Sequence, residues 1–226
     1  MRATSSCIAR RYTDKMDRYD GIIFDVDGTI WDSTPTVTEA WNRALSEAGY
    51  SERVTADRLK GLFGLPMDDI IHDILPDSDR AERDAVGELC YKYEHEYVSE
   101  MGAVVYEGLG EALSILSRKY PLFVVSNCQA GYIELMLEKT GFGKYIKDHV
   151  CPGDTNMLKA ENILLIAERN GLKNPIYVGD THMDAEACVK AGVPIIFASY
   201  GFGKVEKPDY VIDTPMDLVS LFGLED

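Results

Sequence analysis

Two carboxylates separated by one residue directly follow the first apolar run of the sequence. Asp25 and Asp27 belong to the motif Asp-Val-Asp-Gly-Thr, which comes after the apolar residues 21–24. Residues at positions i and i+2 of an extended chain point to the same side, and close carboxylates repel each other unless a cation or a proton intervenes. Hard oxygen ligands of this kind suit Mg²⁺. The motif therefore predicts a magnesium site, with a polar turn after a strand as the alternative.

A second pair of carboxylates follows another apolar run. Asp180 lies at the tip of the run that begins at residue 175, and Asp184 comes four residues later. Both side chains could turn toward the same cation. The alternative is a structural role, in which Asp180 or Thr181 caps a helix over residues 182–191.

Ser126 and Asn127 could bind a phosphate group, and Lys159 is a further candidate residue because of its position along the chain. Ser126 and Asn127 follow the apolar run 121–125, and a hydroxyl with backbone N–H groups at a helix start is suited to anions. Lys159 lies near the start of the helix that precedes the strand ending at Asp180. Each has an ordinary interpretation as well, an N-cap for Ser126 and a solvated surface position for Lys159.

Short apolar runs predict the strands that would position these residues. The runs that predict strands are 21–24, 121–125, 175–178, 194–198 and 210–212. Helical spacing of apolar residues lies between them, which predicts an α/β fold with a mainly parallel sheet covered by helices. In such sheets ligands bind at the carboxyl ends of the strands, where Asp25, Ser126 and Asp180 would converge.

A long helical segment interrupts the alternation of strands and helices. Its start is predicted at residues 33–35, which have the sequence Ser-Thr-Pro. No convincing strand follows before about residue 101. The predicted division of the chain is a core of residues 16–32 and 102–226, a helical insert of residues 33–101, and a flexible extension or wrongly assigned start at residues 1–15.

Composition and charge restrict the classes of partner. The 226 residues carry 23 Lys and Arg against 38 Asp and Glu, a formal net charge of −15. A field of that sign repels nucleic acid and anionic lipid, so neither nucleic acid nor a membrane is predicted as a partner. Five cysteines are scattered singly and predict free thiols in a reducing, cytoplasmic setting. A monomer or a homodimer is expected.

Taken together, the motifs resemble the four ordered motifs of the haloacid dehalogenase (HAD) superfamily. The four are DVDGT at 25–29, VVSN at 124–127, a single lysine at 159 and GDTHMD at 179–184. The segments that resemble its phosphoglycolate phosphatase-like branch are YVGDT at 177–181 and YGFG at 200–203. The resemblance implies a Rossmann-like core with a helical cap inserted after the first strand, at residues 33–101.

The resemblance also implies roles for the motif residues. Asp25 would attack phosphorus and form an aspartyl-phosphate, and Asp27 would protonate the leaving alkoxide and then activate water. Lys159 would neutralise charge and hold the nucleophile, although Ala160 follows it where this branch commonly has proline. The implied phosphate-binding residues are Thr29, Ser126 and Asn127. The implied Mg²⁺ ligands are Asp25, Asp180, the backbone carbonyl of Asp27 and, directly or through water, Asp184. The alternative lysines are Lys144 and Lys147.

Substrate selection is predicted for the cap. Arg58 and Lys60 lie beside a glycine-containing apolar loop at residues 61–66, and in similar proteins this loop faces the active site. Either cation could bind a substrate anion such as a carboxylate. A solvated helix end followed by a turn is the alternative.

The sequence therefore predicts a Mg²⁺-dependent phosphatase that acts on a small phosphomonoester. Phosphoglycolate-like compounds, sugar phosphates and nucleotides are the predicted substrate classes. The alternatives are a phosphomutase of the β-phosphoglucomutase type and a pyrophosphatase. A dehalogenase is disfavoured because dehalogenases of the family lack the second aspartate, here Asp27. A non-catalytic binding module is disfavoured because the implied catalytic residues are present.

Overall fold

A computed structural model describes residues 16–225, and a six-stranded sheet forms the centre of this part of the chain. The strands are β1 (Gly21–Phe24), β2 (Trp31–Asp32), β3 (Val104–Val105), β4 (Leu122–Val125), β5 (Ile146–Val150), β6 (Pro175–Gly179), β7 (Ile195–Ala198) and β8 (Tyr210–Ile212). The sheet has the order β5-β4-β1-β6-β7-β8, and every neighbouring pair in it is parallel. β2 and β3 pair separately and antiparallel. The predicted α/β class with a Rossmann-like parallel sheet is confirmed.

Helices precede and follow the strands throughout residues 16–225. They are α1 (Thr34–Glu47), α2 (Ala56–Leu62), α3 (Met67–Ile74), α4 (Arg80–Met101), α5 (Leu109–Leu116), α6 (Tyr132–Thr140), α7 (Pro152–Thr155), α8 (Lys159–Asn170), α9 (His182–Ala191) and α10 (Asp217–Leu221). Between β2 and β3 the described chain forms only helices, α1 to α4, over the range for which the cap is predicted. These four helices are called the cap below.

The central strands are apolar on both faces because helices cover the sheet on both sides. Every residue of β1 and β6 is buried. Ile22 and Phe24 pack into one hydrophobic cluster, whereas Ile23, which points the opposite way, packs into a second. Burial on both faces is consistent with the central position of β1 in the sheet. Asp25, which directly follows β1, therefore lies near the centre of the edge formed by the strand ends.

Local signals set the helix ends of the cap. Pro35 stands in the first turn of α1, as predicted. α4 begins with a capping box in which the carboxylate of Asp79 accepts from the backbone of Glu82 and the carboxylate of Glu82 accepts from the backbone of Asp79. α1 packs along α4, and a hydrogen bond from Trp41 Nε1 to Glu94 Oε2 of 2.9 Å joins the two helices.

The structure differs from the sequence predictions in two elements. The pattern does not predict β5, because this edge strand bonds only to β4 and keeps polar, partly exposed residues at its centre. The helix start expected at Ser126 is wrong, and so is its N-cap interpretation, because α6 begins only at Tyr132. Gly131 caps that helix with a φ of +85°, a conformation that glycine adopts at low cost.

Two remaining sequence predictions concern the chain end and the membrane. The interpretation of residues 1–15 falls outside the described part of the chain. Within residues 16–225, no helix is both long enough and apolar enough to cross a membrane.

Candidate active site

The carboxyl ends of the central strands bring distant acidic residues together. β1 pairs with β4 on one side and β6 on the other, and Asp25 N donates to the carbonyl of Val178 at 2.9 Å. In this part of the chain, carboxylate oxygens of Asp25, Asp180 and Asp184 all lie within 4.8 Å of one another, and all three residues are buried. The structure therefore groups the three carboxylate side chains that the sequence assigned to a metal site.

Lys159 is the cation of this cluster. It is the first residue of α8 and is only 5% exposed, unlike an ordinary surface lysine. Its Nζ lies 3.0 Å from Asp25 Oδ1 and 2.6 Å from Asp184 Oδ1. Burial alone would lower the pKa of Lys159, but the charges of Asp184 and Asp25 raise it above its ordinary value. The ammonium therefore stays charged between two carboxylates.

Negative charge exceeds positive charge around Lys159. Burial and the neighbouring charge of Asp184 raise the pKa of Asp25 to about 6. Burial and the charges of Asp184 and Asp25 also hold the pKa of Asp180 well above its ordinary value. A group of buried carboxylates that lacks sufficient counter-charge fits a hard divalent cation such as Mg²⁺, which takes oxygen ligands.

Asp184 both caps a helix and faces the cluster. Its Oδ2 accepts from the backbone N–H of Thr181 at 2.9 Å and from Thr181 Oγ1 at 2.7 Å, while Thr181 Oγ1 caps the start of α9. Its Oδ1 accepts from Lys159. Burial by itself raises the pKa of Asp184. The charge of Lys159 and the hydrogen bonds from Thr181 outweigh burial and lower this pKa below its ordinary value. The predicted helix cap is therefore present, and Asp184 also contributes a carboxylate to the acidic cluster.

Close backbone approach allows Asp180 to reach the cluster. Gly28 has a φ of +85°, and a Cβ at this position would lie 2.1 Å from Asp180 Oδ2, so no larger residue fits. Asp180 Oδ2 accepts from the backbone of Phe202 at 2.7 Å, and Oδ1 accepts from Thr29 Oγ1 at 3.2 Å. The hydroxyl of Thr29, predicted to bind phosphate, is therefore fully buried and directed to Asp180 instead.

Three donors bond to one oxygen of the Asp27 carboxyl group. Its Oδ1 accepts from Trp31 Nε1 at 3.0 Å, Ser33 Oγ at 2.5 Å and Tyr132 OH at 3.0 Å. Burial raises the pKa of Asp27 to about 7 and the charge of Glu94 adds to the rise, although the hydrogen bond from Ser33 opposes it. A carboxyl group with such a pKa can release and take up a proton near neutral pH. Sequence reasoning missed the hydrogen bonds of Trp31 and Tyr132 to Asp27.

A cavity of about 350 Å³ lies between the strand ends and the cap. Asp25, Asp27, Ser126 and Lys159 are among the core residues that line it. The lining residues contributed by the cap and its loops include Trp41, Phe63, Leu65, Met67, Ile70, Tyr91 and Glu94. Its size and its mixture of apolar walls with a few polar groups are typical of a small-molecule site.

Asn127 joins the core to the cap across this cavity. Its Nδ2 donates to the carbonyl of Gly64, in the loop between α2 and α3, at 2.9 Å. The backbone of Asn127, predicted to bind phosphate, lies in the loop before α6 rather than at a helix start. The side chain therefore holds the cap loop against the loop that follows β4.

The two cap cations predicted to bind substrate do not line the cavity. Arg58 NH2 bonds to the carboxylate of Asp73 at 2.8 Å and to its backbone carbonyl at 2.7 Å. Lys60 Nζ pairs with Asp32 Oδ2 at 3.1 Å. The predicted substrate-binding role of Arg58 and Lys60 is thus not supported by their positions, because α2 directs both side chains to acidic partners outside the cavity.

The alternative lysines are also placed by the structure. Lys144 and Lys147 are exposed, and neither lines the cavity. Lys159 remains the lysine that contacts Asp25.

Glu94 is a buried cavity residue that sequence reasoning missed. It is 7% exposed, and its carboxylate accepts from Trp41 Nε1 at 2.9 Å and from Gln129 Nε2 at 3.1 Å. Burial raises the pKa of Glu94 to about 7 despite these two hydrogen bonds. The sequence does hold a signal for it, because the buried residues Val86, Cys90, Glu94 and Val98 of α4 recur every four positions.

Glu94 is expected to make the stability of this protein fall as pH rises. Its pKa is about 7 in the fold against an ordinary 4.5. The folded chain therefore binds the carboxyl proton of Glu94 more tightly than the unfolded chain does. The resulting stabilisation is fully present below the ordinary pKa of 4.5 and is lost as pH rises through about 7. Relative to wild type, the free energy of unfolding of Glu94→Gln should rise by up to about 3 kcal/mol between about pH 5 and about pH 8. Denaturant unfolding of both proteins measures this difference.

The matched control for this prediction is Glu96→Gln, on the same helix and exposed. The difference in free energy of unfolding between Glu96→Gln and wild type should stay constant with pH. A constant difference for Glu94→Gln would show that the buried carboxyl titrates normally.

The fold and the cavity together define an α/β enzyme with an acidic site at the carboxyl ends of its strands. The chain belongs to the haloacid dehalogenase-like hydrolase family, whose model matches residues 22–198. It is 27% identical to a phosphoglycolate phosphatase of Shigella boydii, over 93% of this chain and 95% of that protein. These similarities confirm the predicted family and the predicted enzyme class, a HAD-like phosphatase.

Solved structures show the same fold. A haloacid dehalogenase-like hydrolase from Streptococcus pneumoniae superimposes with a TM-score of 0.82 at 20% identity, covering 91% of this chain and 99% of that one. A predicted phosphoglycolate phosphatase from Haemophilus somnus gives a TM-score of 0.79 at 21% identity, covering 90% and 98% of the two chains.

Proposed function

We propose that this protein is a Mg²⁺-dependent phosphatase that hydrolyses a small phosphomonoester through a phosphorylated Asp25. The observation that supports the proposal most strongly is the contact of Lys159 with both Asp25 and Asp184 beside Asp180. Phosphoryl transfer depends mainly on positioning and charge stabilisation, and this cluster offers both next to a cavity.

Asp25 is the proposed nucleophile because it lines the cavity and is held by a buried cation. A carboxylate oxygen of Asp25 attacks phosphorus, and the bond from phosphorus to the ester oxygen breaks. Lys159 holds the attacking group and offsets the charge of the phosphoryl oxygens. Ser126 and the backbone N–H of Asn127, which border the same cavity, are proposed to bind those oxygens.

Asp27 is the proposed acid and base. In its protonated form it gives a proton to the leaving alkoxide, and as a carboxylate it then takes a proton from the water that cleaves the aspartyl-phosphate. Trp31, Ser33 and Tyr132 all bond to the same oxygen of this carboxyl group, so they fix its orientation. They are proposed as positioning residues.

The acidic cluster is proposed to hold Mg²⁺. Asp25, Asp180 and Asp184 would supply carboxylate oxygens, and the backbone carbonyl of Asp27 would add a further ligand. When bound, the cation supplies positive charge that neutralises the phosphoryl group.

The substrate is proposed to be a small molecule. The relatives named phosphoglycolate phosphatase support a small phosphomonoester, and the cavity of about 350 Å³ suits one. We further propose that the protein is a cytoplasmic monomer or homodimer. Neither nucleic acid nor a membrane is proposed as a partner.

The test is phosphate release from a panel of small esters, with Mg²⁺ and with EDTA. Release is expected with Mg²⁺ and should be abolished by EDTA. A second readout, independent of turnover, is the melting temperature, which Mg²⁺ should raise in wild type but much less in Asp180→Asn. Phosphate release that EDTA does not reduce would refute the proposed Mg²⁺ site. If the folded protein releases phosphate from none of the esters, the proposed phosphatase function is refuted.

A further inference from the structure

The cavity holds one acidic residue that the proposed reaction does not use. Among the described residues that line the cavity, the charged ones are Asp25, Asp27, Lys159 and Glu94. The first three lie at the end where the phosphoryl group is proposed to bind. Glu94 comes from α4 of the cap, so it lies on the side where the rest of the substrate would be placed.

Glu94 is fixed in place yet keeps acceptor capacity. Trp41 and Gln129 donate to different oxygens of its carboxylate, and both donors are neutral. Within residues 16–225, none of the ion pairs includes Glu94. Each carboxylate oxygen accepts one hydrogen bond here and can accept another. A buried carboxylate without a cation is stabilised by further donors, which a ligand in the cavity can supply.

Among the described residues, the same cavity offers no second cation for a second anion. Lys159 is its only cationic lining residue in the described chain, and Asp25 and Asp184 already contact it. Arg58 and Lys60 pair with acidic residues outside the cavity. Above about pH 7, where Glu94 is ionised, a substrate carboxylate beside it would therefore meet like charge without a compensating cation.

We infer that Glu94 determines specificity, and that the alcohol part of the substrate ends in a hydrogen-bond donor, an ammonium or a hydroxyl group, and carries no carboxylate. This inference rests on the proposed phosphatase function and narrows its substrate class. Trp41, Phe63 and Tyr91 provide the apolar walls for the carbon skeleton. Phosphoglycolate ends in a carboxylate and is thus a poor substrate of this protein, although relatives carry its name.

The test compares kcat/KM for three small esters that differ at the end remote from phosphorus: phosphoethanolamine, glycerol phosphate and phosphoglycolate. An aryl ester, p-nitrophenyl phosphate, reports basal turnover. Wild type should prefer at least one donor-bearing ester to phosphoglycolate by about tenfold or more, as expected for one hydrogen bond to a charged group. Preference for phosphoethanolamine would identify ammonium as the donor, and preference for glycerol phosphate would identify hydroxyl.

Glu94→Gln tests whether this residue causes the preference. The substitution keeps size and an acceptor but removes the charge, so the ratio of donor-bearing ester to phosphoglycolate should fall about tenfold. Glu96→Gln, exposed on the same helix, should leave the ratio unchanged. A preference of wild type for phosphoglycolate, or an unchanged ratio in Glu94→Gln with aryl ester turnover intact, would overturn the inference. Absence of turnover by folded wild-type protein on every ester, the aryl ester included, would instead overturn the phosphatase function on which the inference rests.

Discussion

Asp25→Asn is expected to lower phosphate release by at least about ten-thousand-fold, because an amide cannot serve as the nucleophile that forms the covalent intermediate. The side chain lies 3.0 Å from Lys159 Nζ, and among the described carboxylates that line the cavity it is the one paired with that lysine. Measurement of kcat on the best ester of the panel gives the effect.

The folded state should survive this substitution. Burial and Asp184 raise the pKa of Asp25 to about 6, which shows that its negative charge is unfavourable in the fold. Removing that charge should leave the melting temperature equal to or above that of wild type without Mg²⁺. Asp77→Asn, the same change at an exposed position, controls for the loss of a carboxylate. Retention of more than about one part in a hundred of wild-type kcat in Asp25→Asn would exclude Asp25 as the nucleophile.

Lys159→Met is expected to impair both stability and activity. Without the ammonium, Asp25 and Asp184 remain buried without a counter-charge, and breaking a buried ion pair by removing one partner costs about 3–5 kcal/mol. The free energy of unfolding near pH 8, without Mg²⁺, should fall by about that amount. The loss should be smaller near pH 5, because the pKa of Asp25, about 6 even with Lys159 present, rises further and the group takes up a proton.

The activity of Lys159→Met should fall by about a hundredfold or more, since a positive charge next to the transferring phosphoryl group is lost. Lys147→Met is the matched control, because Lys147 is exposed and does not line the cavity. It should leave both kcat and stability near wild type. Equal effects of the two substitutions would contradict the role assigned to the buried lysine.

Residues at strand ends could be predicted from the sequence because their signal is local. Asp25 and Asp180 each follow a run of apolar residues, and parallel strands bring such positions to one edge. Thr181 and α9 could be predicted for the same reason, since capping depends on neighbours in sequence. The α/β class follows from the alternation of these runs with helical spacing.

Contacts between distant segments could not be predicted in this way. Tyr132 and Asp27 are 105 residues apart, and their hydrogen bond depends on how α6 packs against the loop after β1. Glu94 bonds to Gln129, which lies in the loop before α6. The burial of Lys159 likewise depends on the packing of α8, so its sequence neighbours could not distinguish it from a surface lysine.

The positions of Arg58 and Lys60 show that closeness in sequence does not determine the direction of a side chain. Their cations lie next to an apolar loop in sequence, but helix α2 directs them toward Asp73 and Asp32. The loop itself does reach the cavity, through Phe63, Gly64 and Leu65. Proximity in sequence therefore indicated a loop that lines the cavity, but not which of its neighbouring side chains do so.

Direct detection of a phosphoryl group on Asp25 tests the central claim most sharply. The enzyme with Mg²⁺ is mixed with a good ester, quenched in acid within the first turnover, digested and examined by mass spectrometry. The account predicts a mass gain of one phosphoryl group on the peptide that contains Asp25, absent without Mg²⁺ and absent in Asp25→Asn. Turnover without phosphorylation of this peptide, or with phosphorylation of another residue, would contradict it.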